Sequence, residues 1–407
     1  MIKKHSILLY ALLLLSSSTA YAEWSGNISA QVLYFVNDPL DTNPEQKNSY
    51  LSLAAEPEYY TSFDNEQKSF TFTPFVRIDQ YDSERSHADI RELNYEQVFD
   101  NWELRIGISK VFWGVTESQH LVDVINQTDN VESPDGEEKL GQPMIKASFE
   151  QDWGTLDVFI LPYFRERTFQ SPQGRPRFYP FVDASQASYE SSRGQKNTDY
   201  ALRWFQYLGD LEFGISYFNG TSREPVFLFN PQNTSPTLSP YYTLMQQFGF
   251  DAQITTEEWL WKLEAIYRDW TNMDYTRFQL FSEQYFAATA GFEYTFVGIY
   301  ESDSDLGLIM EYLYDDRGRQ ATTIFQNDIM LGMRLAMNDA DSSEALVGII
   351  YDIDSAEYLI QLEASKRFME NFKASLDIRS FQNVDKTSWL YSYRNDSFIQ
   401  LDIAYYF

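Results

Sequence analysis

FIQLDIAYYF, residues 398–407, ends the chain with residues that alternate in character along an extended backbone. One side of this stretch carries Ile399, Leu401, Ile403, Tyr405 and Phe407, and the other carries Gln400, Asp402, Ala404 and Tyr406. A period of two is the period of a β-strand. The stretch therefore predicts a strand with one apolar face and one face suited to water.

The same alternation recurs along the chain, for example in residues 102–109, 211–218, 259–268 and 372–379. Each segment has roughly ten residues, the length with which a tilted strand crosses the hydrocarbon of a bilayer. Backbone groups in hydrocarbon need partners within the protein, so such strands must close into a sheet without free edges. We therefore predict an all-β fold, a transmembrane antiparallel up-and-down β-barrel of about 18 strands, with about 16 as the alternative count.

The connections between the predicted strands alternate in length. The strands lie near residues 24–36, 49–61, 68–81, 88–99, 102–113, 142–151, 154–164, 197–207, 210–219, 242–255, 258–270, 284–297, 304–315, 325–337, 344–353, 356–367, 371–382 and 395–407. Tight turns such as 100–101 and 152–153 follow even-numbered strands, and most long segments follow odd-numbered ones. This pattern predicts short periplasmic turns, long outer loops and both termini in the periplasm.

The N-terminal segment has the features of an export signal. Lys3 and Lys4 precede an apolar run at 7–15, and Ala20-Tyr21-Ala22 has the form of a signal-peptidase site. The run is too short to span a bilayer, which disfavours the alternative of a retained anchor helix. We predict a signal peptide at residues 1–22 and a single barrel domain at residues 23–407, with Glu23 as the first mature residue.

The composition narrows the classes of partner. The chain has 60 Asp and Glu against 31 Lys and Arg, a formal net charge of −29, so its overall charge repels nucleic acid. If the chain forms a pore, this field favours cations and polar neutral solutes over anions. Alternatively, the acids solvate outer loops and bind divalent ions. Aromatic residues make up 17%, which suits strands and the interfacial girdles of a barrel.

Two long connections are candidates for a constriction. The first, residues 114–142, contains Leu121, Val122, Val124 and Ile125, too many apolar residues for a freely solvated loop. We predict that it folds inward and narrows a pore; the alternative is that it packs on neighbouring outer loops. The second, residues 165–195, carries four arginines close together in an acidic chain, at positions 165, 167, 175 and 177.

One hypothesis places these arginines opposite lumen acids, so that a transverse field orients a solute at the constriction. The alternative is that Arg165 and Arg167 pair with Glu166 and with acids of the wall and stiffen the loop. The candidate pore residues are Glu103, Arg105, His120, Asp123, Arg165, Arg167, Arg175, Arg177, Glu212 and Glu264.

Few features of the sequence indicate a catalytic site or a metal site. Beyond residue 22 the only histidines are His87 and His120, there is no cysteine, and no G-x-S-x-G motif occurs. Ser118, His120 and Asp123 lie close in sequence, but alternate residues of an extended stretch do not form a proton relay. We predict no enzyme activity, no cofactor and no metal site; short acidic runs would hold Ca²⁺ only weakly.

Several stretches resemble known proteins. A terminal strand that ends in an aromatic residue, here Phe407, resembles the C-terminal signal of Gram-negative outer-membrane barrels. The runs at 111–129, 160–169, 220–225 and 327–339 resemble segments of a porin-like outer-membrane family that has no assigned substrate. The resemblance implies an outer-membrane location, contact with membrane lipid and lipopolysaccharide, recognition of the C-terminal strand by the barrel-assembly machinery, and a monomeric or trimeric barrel.

Together these features predict a porin-like channel for passive passage of small polar or cationic solutes, narrowed by inward-folded loops. The alternative is a non-transporting outer-membrane barrel whose acidic loops bind a partner, a polysaccharide or a divalent ion.

Overall fold

The computed structural model describes residues 21–41, 45–133, 135–231, 236–270 and 284–407. Eighteen antiparallel strands form one sheet. They are β1 (Tyr21–Phe35), β2 (Ser49–Phe63), β3 (Lys68–Asp79), β4 (Ala88–Val98), β5 (Trp102–Ser109), β6 (Gln142–Gln151), β7 (Gly154–Leu161), β8 (Asp199–Leu208), β9 (Leu211–Thr221), β10 (Leu244–Thr256), β11 (Trp259–Asp269), β12 (Gln284–Phe296), β13 (Asp305–Asp315), β14 (Asn327–Ala336), β15 (Glu344–Asp352), β16 (Tyr358–Phe368), β17 (Phe372–Gln382) and β18 (Phe398–Tyr406).

The sheet closes on itself because β1 pairs with both β2 and β18. The closing register runs from Asn27 opposite Tyr406 to Phe35 opposite Phe398. Each neighbouring pair is antiparallel, so the backbone groups of the wall find partners within the sheet. The predicted barrel of 18 strands is confirmed.

The two faces of the wall differ as the alternation predicts. At the closing pair, Val32 and Leu401 lie opposite each other on the outside with 45% and 43% of their surface exposed. One residue away, Gln31 faces the lumen opposite Asp402 and is 5% exposed. A strand between lipid and a polar interior needs one apolar face and one polar face.

The connections have the predicted alternation. Turns at 99–101, 152–153, 209–210, 257–258 and 369–371 follow even-numbered strands, and long loops at 110–141, 162–198 and 222–243 follow odd-numbered ones. The connections at 297–304, 337–343 and 353–357 are intermediate in length. The barrel thus has a short-turn end, near both termini, and a long-loop end.

Two details differ from the sequence-based expectations. The predicted fifth strand extends to residue 113, whereas β5 ends at Ser109 because the chain then leaves the wall and enters the lumen. The loops also form a small sheet that was not predicted, in which Val226–Asn230 pairs antiparallel with Thr237–Tyr242, which pairs parallel with Ser188–Tyr189.

The predicted signal peptide lies almost entirely outside the described residues, and β1 begins at Tyr21, two residues before the predicted mature start at Glu23. The helical segments in the described ranges are short 3-10 turns. Among the residues that the structure describes, none forms a helix long and apolar enough to cross a membrane.

Candidate functional site: the lumen and its inward loop

The connection at residues 110–141, called here the inward loop, lies inside the barrel. Its residues Val122, Val124 and Ile125 are at most 2% exposed. They pack in one apolar cluster with lumen-facing residues of seven neighbouring strands. These wall residues include Met144 of β6, Phe159 of β7, Ala201 of β8, Phe218 of β9, Met245 of β10, Ile266 of β11 and Ala287 of β12. The loop therefore fills the part of the lumen that these strands enclose.

A buried carboxylate on β11 holds the first half of the inward loop. Glu264 is fully buried and accepts hydrogen bonds from the backbone N–H of Val115 at 2.7 Å, of Thr116 at 3.0 Å and of Val122 at 3.2 Å. The Thr116 hydroxyl donates to it at 2.8 Å. A single wall residue thus satisfies four donors of a loop that has left the sheet, which lowers the cost of burying them.

A second carboxylate acts in the same way on β13. Glu311 accepts from the backbone N–H of Glu117 at 2.7 Å and from the N–H and hydroxyl of Ser118 at 2.9 and 2.5 Å. Since Ser118 donates its hydroxyl proton to Glu311, Ser118 and His120 do not form the nucleophile-base pair that acyl-transfer catalysis requires.

The second half of the inward loop pairs with arginines of the opposite wall. Three ion pairs fasten it: Asp129 to Arg91 of β4, Glu132 to Arg77 of β3, and Asp135 to Arg379 of β17. The loop is therefore anchored on both sides of the barrel, and it crosses the lumen.

His120 of the inward loop lies between two carboxylates. Its Nδ1 is 3.8 Å from Glu264 and its Nε2 is 3.7 Å from Glu137. Burial lowers the pKa of His120, but the nearby carboxylates of Glu264 and Glu137 outweigh it and raise the pKa above its ordinary value. Asp123 is buried beside Lys139 at 3.3 Å; burial raises the pKa of Asp123, and Lys139 opposes that effect.

The four arginines of the second long loop do not face the predicted lumen acids. Arg165 pairs with Asp89 of β4 at 2.8 Å, Arg175 with Asp396 at 2.8 Å, and Arg177 with Asp41 at 3.1 Å. Arg167 donates to the backbone oxygen of Arg223 at 2.9 Å and to Gln127 at 3.3 Å. The hypothesis of a transverse field between these arginines and Glu103, Glu212 and Glu264 is therefore wrong for this structure.

The physical reason is the position of each group along the barrel. Glu103 and Glu212 are the second residues of β5 and β9, at the short-turn end, whereas the arginines belong to loops of the other end. Glu103 lies 4.0 Å from Lys146, Glu212 accepts from Gln253 at 2.8 Å, and Arg105 donates to Glu96 at 2.8 Å. The alternative hypothesis was that Arg165 and Arg167 pair with Glu166 and with acids of the wall. Arg165 does pair with a wall acid, Asp89. Glu166, however, accepts hydrogen bonds from Tyr189 and Gln195.

Among the residues that the structure describes, two neighbouring cavities lie along the lumen wall of β14 to β18. The upper cavity, of about 460 Å³, lies between this wall, the inward loop and the long outer loops. The lower cavity, of about 340 Å³, lies nearer the short-turn end. Glu117, Leu346 and Glu363 line both cavities, so the two are neighbours on either side of these residues.

A buried charge cluster borders the upper cavity at residue 224. Burial raises the pKa of Glu224, but the guanidinium groups of Arg268, Arg317 and Arg167 lower it to about 2. Arg268 is 3.1 Å from the carboxylate. Glu224 is thus ionised at any physiological pH, and it links the 222–243 loop to β11.

The sequence-based reasoning missed Glu117, Glu311, Glu363 and Arg379. The sequence could have indicated Glu311, Glu363 and Arg379, because each lies on the side of its strand opposite to the apolar residues and therefore faces inward. Glu117 lies in an irregular loop, where parity carries no information. Within the part of the chain that the structure describes, no group of three or more His, Asp or Glu is placed to hold a metal ion.

The closed 18-stranded sheet, its apolar outer face and its inward loop define a porin-like barrel fold of the outer-membrane type. The chain is similar to solved structures that include a loop L8 deletion mutant of OmpT, an outer membrane protein of Vibrio cholerae (TM-score 0.48, 9% identity, 95% of this chain and 99% of that chain). OmpT itself, expressed in the outer membrane, is similar (TM-score 0.46, 10% identity, 97% and 99%). A mutant of Rh. blastica porin is another (TM-score 0.43, 12% identity, 95% and 100%). At these identities the similarity concerns the fold alone. No protein-family model and no curated protein matches this chain.

Proposed function

We propose that this protein resides in the bacterial outer membrane and lets small polar or cationic solutes pass by diffusion along the wall of β14 to β18. The observation that carries the proposal is that the upper and lower cavities are neighbours and share Glu117, Leu346 and Glu363 as lining residues. A route past these side chains would join the long-loop end to the short-turn end. Barrels of about 16 to 18 strands are wide enough to hold an aqueous channel beside a folded-in loop.

The position of the route follows from how the rest of the lumen is filled. The apolar cluster around Val122 and Ile125 occupies the side of β6 to β12, so water and solute are excluded there. Among the residues that both cavities share, Glu117 binds Arg334 at 2.6 Å and Glu363 binds Arg379 at 3.1 Å. Carboxylates that line a narrow passage favour cations over anions.

The proposal includes the expected contacts of such a barrel. Its apolar outer face would contact membrane lipid and lipopolysaccharide, and the strand that ends at Phe407 would present the assembly signal. The channel would act without catalysis, consistent with Ser118 being bound to Glu311.

Planar-bilayer recordings of the purified protein test the proposal, and Gly348→Trp is the decisive variant. Gly348 lines the upper cavity, and the atom nearest to an added Cβ is the flexible end of Met330, at 3.3 Å. We expect a steady, cation-preferring current in the parent and a conductance lowered about twofold or more in Gly348→Trp, because the indole occupies the route.

Leu331→Trp is the matched control, since Leu331 is 51% exposed on the outer face of the adjacent strand and the same ring there leaves the lumen unchanged. A correctly folded barrel without current would contradict the channel and support the alternative of a non-transporting barrel whose acidic loops bind a partner, polysaccharide or divalent ion.

A further inference from the structure

The wall of the upper cavity carries apolar residues although it faces the lumen, where contact with water favours polar residues. Met330 of β14, Ile350 of β15, Leu359 of β16 and Phe381 of β17 form one row, each directly opposite the next in the strand register. The first three are at most 8% exposed. These residues face inward, because Leu331, the neighbour of Met330, lies on the outer face. The row therefore offers an apolar surface inside the barrel.

Aromatic side chains from the long loops cover the same cavity. Phe178, Phe227, Trp389 and Tyr393 all line it. The ring centroids of Phe178 and Phe227 are 5.0 Å apart, those of Phe178 and Tyr393 are 5.5 Å apart, and those of Phe227 and Trp389 are 6.0 Å apart. Contacts at these distances make one aromatic surface from three separate loops. The cavity is thus apolar on its wall and on its outer cover.

Two glycines lie directly below the apolar row. Gly332 of β14 is opposite Gly348 of β15, and Gln361 of β16 follows in the same row. The flexible end of the Met330 side chain lies over both glycines, 2.9 Å from the position of a Cβ on Gly332 and 3.3 Å from that of a Cβ on Gly348. An apolar group in the cavity would therefore pack against Met330, whose unbranched side chain adapts to its neighbours.

The lower edge of the cavity carries uncompensated negative charge. Arg379 is contacted by three carboxylates: Asp135 of the inward loop, Glu363 of β16 and Asp377 of its own strand. One guanidinium among three carboxylates leaves an excess of acidic groups at this edge. The Glu363 side chain is 43% exposed and the Arg379 side chain is 7% exposed, so the carboxylate is the group that an entering solute meets.

The opposite, outer edge has more guanidinium groups than carboxylates. There Glu224 and Arg167 both line the cavity, and Arg268 and Arg317 lie behind Glu224. A charged solute therefore gains most from placing a cation near Glu363 and its apolar body against the row that contains Ile350 and Leu359.

From this arrangement we propose that the upper cavity binds amphipathic organic cations, in which one ammonium or guanidinium group is joined to an aromatic or branched apolar body. This names the solute class of the route and rests on the proposed function. The cationic group contacts Glu363, and the body lies between the apolar row and the aromatic cover.

Isothermal titration of the purified barrel in detergent tests the proposal independently of conduction. The probe is 2-phenylethylammonium, with 3-phenylpropionate as the matched anion, ethylammonium as the cation without a body, and empty micelles as the blank. We expect saturable binding of 2-phenylethylammonium that is about tenfold tighter than that of either comparison compound. Equal binding of the anion and the cation would overturn the proposal.

Two variants locate the binding. Glu363→Gln keeps the shape of the side chain and removes its charge, and should weaken binding of 2-phenylethylammonium about fivefold or more. Gly348→Trp should abolish binding, because the indole would occupy the upper cavity that Gly348 lines. Glu344→Gln, in the lower cavity, should leave binding unchanged, and heat-shifted gel mobility verifies that each variant is folded. Unaltered binding in both cavity variants would refute the site.

The two proposals fail in different ways. Binding of 2-phenylethylammonium to a barrel that passes no current would retain the binding site and contradict the channel. Current without binding would retain the channel and contradict the solute class.

Discussion

Glu264 shows how a wall carboxylate can organise a loop that has left the sheet. It is 0% exposed, and its oxygens accept from Val115, Thr116 and Val122. Glu311 does the same for Glu117 and Ser118. A carboxylate has only acceptors, so it matches a run of backbone N–H groups that would otherwise be buried without partners.

Glu264→Gln should therefore loosen the inward loop, because the amide places its own N–H groups against the loop donors. We expect a loss of about 1–3 kcal/mol of stability, measured as a lower temperature at which detergent-extracted protein changes its gel mobility. Glu212→Gln is the control, since Glu212 lies at the short-turn end, away from the inward loop, and accepts from Gln253 in a hydrogen bond of 2.8 Å. An unchanged transition temperature in Glu264→Gln would show that the loop is held by other contacts.

His120 makes the anchoring of the loop depend on pH. Its pKa is raised in the folded protein, through the neighbouring carboxylates Glu264 and Glu137 and despite burial. A raised pKa means that the stabilisation is complete below the unfolded value near 6.5 and is lost as the pH rises through the folded value. Asp123 and Lys139 face the same imidazole environment but pair with each other.

The measurement is the transition temperature of the parent and of His120→Gln between pH 5.5 and 8.5. We expect the transition temperature of the parent to exceed that of His120→Gln most at pH 5.5, and the difference between the two temperatures to shrink toward pH 8.5. A difference that grows with pH would contradict the assignment of the effect to the imidazolium.

The inward loop behaves as an inner layer of the barrel. Val122 and Ile125 are fully buried against the wall, and each such side chain contributes about 1.5–3 kcal/mol relative to exposure. Charge pairs with Arg77, Arg91 and Arg379 fix its second half. Apolar packing on one side and ion pairs on the other thus fix the loop across the lumen, and the upper and lower cavities lie beside it along β14 to β18.

The outer loops are joined to one another through Arg175. Its guanidinium donates to Asp396 and to the backbone oxygens of Asn395 and Asn37, and it lies 4.3 Å from the centre of the Phe35 ring. The side chain is 1% exposed. One arginine therefore ties the loop at 162–198 to the loops that precede β2 and β18.

Arg175→Ala should release these loops while the barrel remains closed. Removing one partner of a buried ion pair costs about 3–5 kcal/mol, because Asp396 is left unpaired. Hydrogen-deuterium exchange should become faster in residues 36–41, 45–48 and 383–397 but stay unchanged in the strands. Arg193→Ala, at an exposed position of the same loop, is the control and should not alter exchange. Equal hydrogen-deuterium exchange rates in Arg175→Ala and in the parent would contradict the role of Arg175 in joining these loops.

The whole molecule depends on the pairing of β1 with β18. Without it, two strand edges with unpaired backbone groups would face lipid, which hydrocarbon does not tolerate. Ile403 lies in this seam, opposite Ala30 of β1 and Ala374 of β17.

Ile403→Pro should prevent closure, since proline lacks the N–H of a central strand. We expect the variant to lose the heat-dependent gel mobility that a closed barrel shows, and to be degraded by added protease. Ile403→Val retains the N–H and the apolar outer face, and should fold like the parent. A compact, heat-shifted band from Ile403→Pro would mean that the seam tolerates a missing hydrogen bond.

The strand count, the inward parity of residues such as Gln400 and Asp402, and the alternation of turn lengths were all predictable from sequence. Each is a local pattern, because a strand shows its two faces within a few residues and a tight turn joins neighbours. The inward position of the 110–141 loop was one of two open alternatives, since an apolar run shows that a loop is buried but not against what.

The pairing inside the lumen was decided only by the tertiary structure. Thr116 and Glu264 are 148 residues apart, and Asp135 and Arg379 are 244 apart. With 60 acids and 31 lysines and arginines, nearly every cation has several candidate partners, and composition does not choose among them. Closure of the sheet sets the height and direction of each side chain, and only then do Glu264, Glu311 and Arg379 become anchors of the inward loop, beside the cavities along β14 to β18.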